Sequence, residues 1–206
     1  MTIEKDFFRQ VMGHFTTGVT VVTTNSQGVL GGLTVNAFCS VSLNPPLILV
    51  CVDLTSNTLP LIRESQTFVV NMLTNQQEEL SRCFATHSQE RFEYFCHAPY
   101  HIAATGAPVL DDALAFIDAR VIAEHPGGDH AIFIGQIEAL GYAGKVIFAD
   151  EAGGAQSTMP EPEETLVEEE KSPLVYYRGQ YRHLTSLYRK PSLVPPYDEA
   201  HTQSRS

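Results

Sequence analysis

The 206-residue chain lacks a long apolar run: the longest is Leu47 to Val52, far short of the roughly 20 residues that cross a bilayer. Its start, MTIEKDFFRQ, lacks the basic and then apolar pattern of a secretory signal, so the expected location is the cytoplasm and no membrane partner is expected. Basic residues are scarce, 13 Lys plus Arg against 24 Asp plus Glu, and a net charge of −11 repels phosphate backbones, which argues against nucleic acid. The four cysteines, Cys39, Cys51, Cys83 and Cys96, have no C-x-x-C or Cys/His metal spacing and read as reduced, mostly buried thiols. Also missing are a nucleophile elbow, a P-loop, a dinucleotide G-x-G-x-x-G and H-E-x-x-H, which leaves hydrolase, NTPase, Rossmann and zincin readings without support.

What is present is an ordinary globular mixture, 43% hydrophobic and 18% charged, long enough for one domain but not for two catalytic ones. Ile3, Phe7, Phe8, Val11, Met12 and Phe15 recur at helical spacing, with Glu4 and Asp6 at the favoured N-terminal end. β-Branched strands follow: VTVVTT, a turn at residues 25–28, then VLGGLTVNAFCSVSL as far as Asn44-Pro45-Pro46, and Leu47 to Val52 as a buried strand. Thr58-Leu59-Pro60 starts a short helix, Thr67 to Leu73 is a strand, and Thr74-x-x-Gln77 is a capping box that opens a helix to about Phe84. Residues 86–109 read as a loop with a helical turn around Glu90 to Phe95. Leu114 to Glu124 and His130 to Tyr142 alternate around Pro126-Gly127-Gly128-Asp129 as a hairpin, and residues 175–183 form a weaker one. Residues 144–172 read as a solvated acidic excursion; residues 150–171 alone hold eight acids and one base. Residues 185–206 are a polar tail after a domain spanning 1–184. Many short strands with few inserted helices and no βα rhythm predict a mainly β, antiparallel barrel.

Three sites could carry chemistry. On one continuous strand, Thr34, Asn36, Phe38 and Ser40 would share a face. With Gly31-Gly32 beside it, that face suits a flat polar heterocycle, or else is simply solvated. Thr55-Ser56-Asn57-Thr58 lies before a helix start, where free amides attract a phosphate or are merely capped. His130 is either a pocket residue at a strand start or a turn histidine.

The run Phe15-x-Thr17-Gly18-Val19-Thr20-Val21-Val22-Thr23, with Gly32-x-Thr34-x-Asn36-Ala37-Phe38-x-Ser40, resembles the flavin reductase-like family of FMN-binding split barrels. Further matches continue in order to residue 184: Ser56-x-Thr58, Phe68-x-Val70-Asn71-x-Leu73, Phe84-Ala85, Arg91-Phe92, Gly128-Asp129-His130 and Tyr177-Arg178-Gly179-x-Tyr181. The resemblance implies a split barrel and an NAD(P)H:flavin oxidoreductase, with FMN or FAD as flavin and NADH or NADPH as hydride donor. It places Thr34, Val35, Asn36, Ala37, Phe38 and Ser40 along the isoalloxazine. Cys51, Val52, Asp53, Ser56, Asn57 and Thr58 fall along the ribityl and phosphate, Ala85 and Thr86 at the flavin tail, and His130 where the nicotinamide stacks. It also implies a homodimer and a flavin-dependent monooxygenase partner. A non-catalytic flavin-binding or redox-storage protein on the same barrel is the alternative. The long acidic excursion and the tail depart from the family pattern.

Overall fold

The computed structural model describes residues 3–142, 144–149 and 171–184. Residues 150–170 and the tail 185–206 lie outside the described residues, and with them most of the acidic excursion. Helix α1 (Lys5–Met12) is capped by the Glu4 carboxylate, which accepts from the Asp6 and Phe7 amides and is held below its usual pKa by those bonds. Its apolar stripe forms as its spacing predicts, yet none of its residues is buried. After β1 (Thr17–Gly18), strands β2 (Thr20–Ser26) and β3 (Val29–Val35) form a hairpin whose turn residues Gln27 and Gly28 both have positive φ (51° and 88°), the geometry a two-residue turn needs to follow strand twist.

The predicted continuous strand from Val29 to Leu43 breaks at Asn36-Ala37 into β3 and β4 (Phe38–Leu43). Antiparallel strands β5 (Pro46–Asp53), β6 (Thr67–Met72), β9 (Ala115–Gly127) and β10 (His130–Tyr142) complete a sheet of order β3-β2-β6-β9-β10-β5-β4. The hydrogen-bonded order therefore opens between β3 and β4, which the chain joins directly, and the barrel is split at that seam. Helix α2 (Leu59–Ser65), with Pro60 in its first turn, crosses to β6 through Gln66 in the left-handed region. Beyond a 3₁₀ turn at Asn75–Gln77 comes α3 (Glu78–Ala85), where the Thr74 amide donates to the Gln77 side chain, as the capping box predicts.

Residues 86–109 are more ordered than a loop. They hold α4 (Gln89–Phe92), a 3₁₀ turn at Phe95–His97, and the two-stranded pair β7 (Tyr100–Ile102) with β8 (Pro108–Leu110). Lys145–Phe148, expected at the start of the excursion, is strand β11 on the far half of β10. Hairpin β12 (Leu174–Tyr177) with β13 (Gln180–His183) closes the described fold and pairs with β1.

Strand β2 is buried on both faces, so its alternate residues serve two cores. Val22 points into the barrel with Val50, Phe68 and Phe133, and Val21 points outward under Phe84, Leu110 and Leu174. Each fully buried side chain of this size contributes about 2 kcal/mol of burial free energy. The cysteine expectation needs correcting: Cys83 and Cys96 are joined as a disulfide, and only Cys39 (exposed) and Cys51 (partly buried) are free. The spacing of 13 concealed this, because α3 and the 3₁₀ turn fold back to bring the two Cα atoms within 6.0 Å.

Candidate functional site

A cavity of about 770 Å³ lies over the seam, between α1, β1, the Asn36–Cys39 link and β5. Strand register decides what faces it. Cys39 pairs with Leu49 and Phe38 with Val50, so Cys39, Leu49 and Cys51 face the cavity while Val50 and Val52 face the core. Of the residues expected along a heterocycle, Asn36, Ala37 and Phe38 line this cavity, and so does Cys51. Burial and the neighbouring Cys39 raise the Cys51 pKa, which keeps it a neutral thiol.

The remaining strand residues fall elsewhere. The break at residue 36 ends the shared face of Thr34, Asn36, Phe38 and Ser40: the Thr34 hydroxyl donates to the Ser81 carbonyl at 2.6 Å, Val35 is in the core, and Ser40 is exposed outside the cavity. Gly31 and Gly32 serve packing. A Cβ at Gly31 would lie 2.6 Å from Leu61 of α2, and one at Gly32 would lie 2.5 Å from the Phe84 ring of α3. Among the described residues one buried side-chain polar atom of the cavity lacks a partner, the Thr17 hydroxyl oxygen.

Beyond Cys51 the chain makes a tight loop. Asp53 accepts from the Thr55 amide and hydroxyl at 2.7 and 2.6 Å, which holds its carboxyl below the usual range. Ser56 is partly buried and accepts from the Thr58 amide, and Asn57 is exposed. Thr58, expected close to the phosphate, has its hydroxyl turned inward: it donates to the Gly32 carbonyl at 3.2 Å and accepts from Arg91. The positive charge comes from a residue that sequence reasoning assigned no role. Arg91 of α4 reaches Gly32 O at 2.8 Å, Thr86 O at 3.4 Å and Thr58 Oγ1 at 3.4 Å, and no described carboxylate pairs with it. Burial pushes its pKa down. A mostly buried cation bonded only to neutral oxygens suits an anionic ligand beside the Ser56–Thr58 loop. Its signal was the Arg91-Phe92 pair, legible only as a family match.

His130 begins β10 directly opposite Asp53, two positions outward from the Ile132–Cys51 pair and on the same outer face. It is not among the residues lining the 770 Å³ cavity. Its Nδ1 lies 2.7 Å from the Asp129 carboxylate, a contact that lowers the Asp129 pKa, and the Leu54 amide donates to the Asp129 carbonyl, docking the hairpin tip on the loop. A smaller chamber of about 330 Å³ shares Phe8, Met12, Phe15 and Asn36 with the large cavity. Ala85 and Thr86, expected at the flavin tail, line a third.

Among the described residues no Asp, Glu, His, Lys or Arg lines the 770 Å³ cavity, so its described lining offers no charged side chain to a reacting group. Among the described residues no group of three or more His, Cys, Asp or Glu could hold a metal. Such a site suits a flat, largely apolar ligand that brings its own reactivity. Residues 12–185 match the family described as Flavin reductase like domain. The chain belongs to the flavin reductase-like family.

Its relatives within the family span comparable lengths. A flavin-dependent monooxygenase reductase subunit, HsaB of Mycobacterium tuberculosis, is 32% identical over 179 residues, covering 87% of this chain and 82% of that one. An NADH-dependent flavin reductase of a Rhodococcus species is 32% identical over 186 residues, covering 88% and 87%. Among solved structures, the flavin reductase PheA2 is 33% identical, with a TM-score of 0.70 over 89% of this chain and 99% of that one. The flavin reductase-like fold is a split barrel, so the expected antiparallel barrel holds, with its ladder open at the seam.

Proposed function

We propose that this chain uses NADH, or NADPH, to reduce FMN or FAD and passes the reduced flavin to a partner monooxygenase. The observation that carries the reading is the cavity over the seam with no described charged side chain in its lining; outside that lining, the chain also holds a buried arginine with no described carboxylate partner. A bound flavin accepts hydride at N5 from the nicotinamide C4, a step that consumes no proton from the protein. The chain's own work is to bind and orient. Ala37, Phe38, Cys39 and Cys51 offer a floor for the ring, and Asn36 and the unpartnered Thr17 hydroxyl supply hydrogen bonds to ring edges. Ser56, the amides around Asn57 and the Arg91 guanidinium face the phosphate, while Asp53 and Thr58 shape that loop. Thr34, Val35, Val52 and Ser40 contribute backbone and packing. His130 stands at the outer end of the same sheet face, where a nicotinamide entering over the flavin would be positioned. The NADH-dependent relative favours NADH as the donor.

Assembly follows from α1. Phe7, Phe8, Val11, Met12 and Phe15 are each at least half exposed, from 50% for Met12 to 71% for Phe15, an apolar face that a second copy of the chain covers in a homodimer. Because Phe8, Met12 and Phe15 also line the cavity, the partner would complete the flavin site. No described helix is long and apolar enough to cross a membrane. A cytoplasmic setting, where reduced nicotinamide is available, belongs to this reading, and the HsaB-like kinship supports the monooxygenase partner.

The test is anaerobic mixing of the purified chain with FMN or FAD, followed by NADH or NADPH. Bleaching of the visible flavin band on the timescale of turnover supports the reading and names the donor. Flavin binding without bleaching by either donor would leave a flavin carrier in its place.

A further inference from the structure

Phe95, Cys96 and His97 are three consecutive non-glycine residues in the left-handed region, with φ of 50°, 54° and 50°. Each costs free energy there because its Cβ crowds the following carbonyl, and such a run persists only where its surroundings impose it. Two links to α3 impose it, side by side. Cys96 is bonded to Cys83, and the buried Phe95 ring meets Phe84 edge to face at 5.1 Å. The first link is covalent and can be broken and remade by thiol exchange. Both cysteines are partly exposed, which puts the bond within reach of a reductant.

The segment closed by that bond carries the cation assigned to the flavin phosphate. Arg91 sits in α4, a helix of four residues, too short to hold its own shape. Its place against β3 rests on guanidinium bonds to Gly32, Thr86 and Thr58. Cutting the disulfide lets Cys96 relax to negative φ, which draws Phe95 off Phe84 and removes the anchor that keeps α4 beside β3. The strain released is of the same order as the hydrogen bonds that hold the guanidinium, so the two balance closely. In the cytoplasmic setting of the proposed function, disulfides are rare, and those that form are mostly transient or redox-sensing.

We propose that the Cys83–Cys96 bond is a reversible redox switch that sets the affinity for a phosphate-bearing flavin, tight when oxidised and weak when reduced; the proposal rests on the flavin reductase reading, with the phosphate at Arg91. A dithiol reductant drives it. One thiolate attacks a sulfur of the bond, the S–S bond breaks as a mixed disulfide forms, and the second thiol resolves it. Cys83 and Cys96 gain two electrons and two protons, and the reductant becomes a disulfide. Glutathione disulfide reverses the exchange, leaving two molecules of glutathione.

The test is fluorescence titration of the full chain with FMN and with riboflavin, in the oxidised state, after dithiothreitol, and after glutathione disulfide. Alkylation and intact mass record the state of the bond each time. Reduction should weaken FMN binding about tenfold, the low end of what the Arg91 charge contributes, and reoxidation should restore it. Riboflavin, which has no phosphate, should bind alike in all three states, showing that the reduced chain stays folded. Cys83→Ser/Cys96→Ser should stay at the weak FMN value with or without dithiothreitol. Cys83→Ser/Cys96→Gly should recover part of the loss, because glycine takes the left-handed conformation without strain. An FMN affinity unchanged although the bond is cut overturns the proposal while the reductase reading stands. So does an equal loss for riboflavin, or a chain in which glutathione disulfide forms no Cys83–Cys96 bond. If neither flavin binds in any state, the reductase reading falls and the switch falls with it.

Discussion

Arg91 Nε donates to the Gly32 carbonyl at 2.8 Å, and the Thr58 hydroxyl donates to the same oxygen at 3.2 Å. One carbonyl on β3 thereby ties α4 to the loop before α2, two segments more than 30 residues apart in the chain. The cation cannot leave without breaking its bond to that oxygen, so its position is set by the barrel wall.

Arg91→Met keeps the aliphatic stem and removes the charge. A charge-assisted hydrogen bond contributes about 1.5–3 kcal/mol, so FMN affinity should fall by about ten- to a hundredfold. Riboflavin, which lacks the phosphate, should bind wild type and variant alike in the same fluorescence titration. An equal loss for both ligands would make Arg91 a purely structural residue.

His130→Ala should lower kcat/KM for NADH by about tenfold, the scale of one lost positioning contact, while leaving flavin affinity unchanged. Stopped-flow reduction under anaerobic conditions separates the two readouts. Wild-type kinetics in the variant would return His130 to the status of a turn histidine.

The Asp53 carboxyl is held below its usual range by Thr55, so its ordering of the 53–56 loop is complete above the unfolded carboxylate value of about 4 and is lost as pH falls through the lower folded value. Flavin affinity should accordingly stay level from neutral pH to about 5 and drop only below 4. Asp53→Asn cannot form the charged contact and should show the low-pH affinity across the whole range.

The Cys83–Cys96 bond closes a 13-residue separation that carries Thr86 and Arg91. Loop-closure entropy for a ring of this size predicts that the Cys83→Ser/Cys96→Ser variant loses about 2–3 kcal/mol of unfolding free energy relative to oxidised wild type. Wild type unfolded in dithiothreitol should match the variant. Intact mass before and after alkylation reports whether the bond is present in purified protein.

Phe7→Glu with Phe8→Glu places two charges on the exposed face of α1 without touching either core. Wild type should sediment at twice 22.7 kDa and the variant at 22.7 kDa, with weakened flavin binding because Phe8 also lines the cavity. A wild-type monomer that binds flavin fully would rule out a shared site.

Most strands, α1, the Thr74 capping box and both long hairpins were legible because period-2 and period-3.6 patterns and turn residues report burial directly. What was hidden depends on contacts distant in sequence. The double glycine suggested ligand approach, yet it makes room for Leu61 and Phe84, arriving from helices 30 and 52 residues away. Thr58 was rightly placed in the loop, but its hydroxyl turns inward because it donates to the Gly32 carbonyl and accepts from Arg91. The break at Asn36-Ala37 escaped notice because the composition on either side is equally β-forming, and only closure of the sheet shows that a single strand cannot serve both edges. The disulfide lacked any local signature at all.

Among the described residues the seam also leaves β4 as a strand edge. Phe38–Leu43 carries no charge and no proline, and Leu43 is 96% exposed, so this strand lacks the usual safeguards against edge-to-edge association between molecules. Mutual repulsion from the net charge of −11 opposes association through this edge. Colloidal behaviour and ligand binding are thus coupled at one place: near the isoelectric point of about 5.1 the empty protein should precipitate, and whatever covers the seam doubles as its solubiliser.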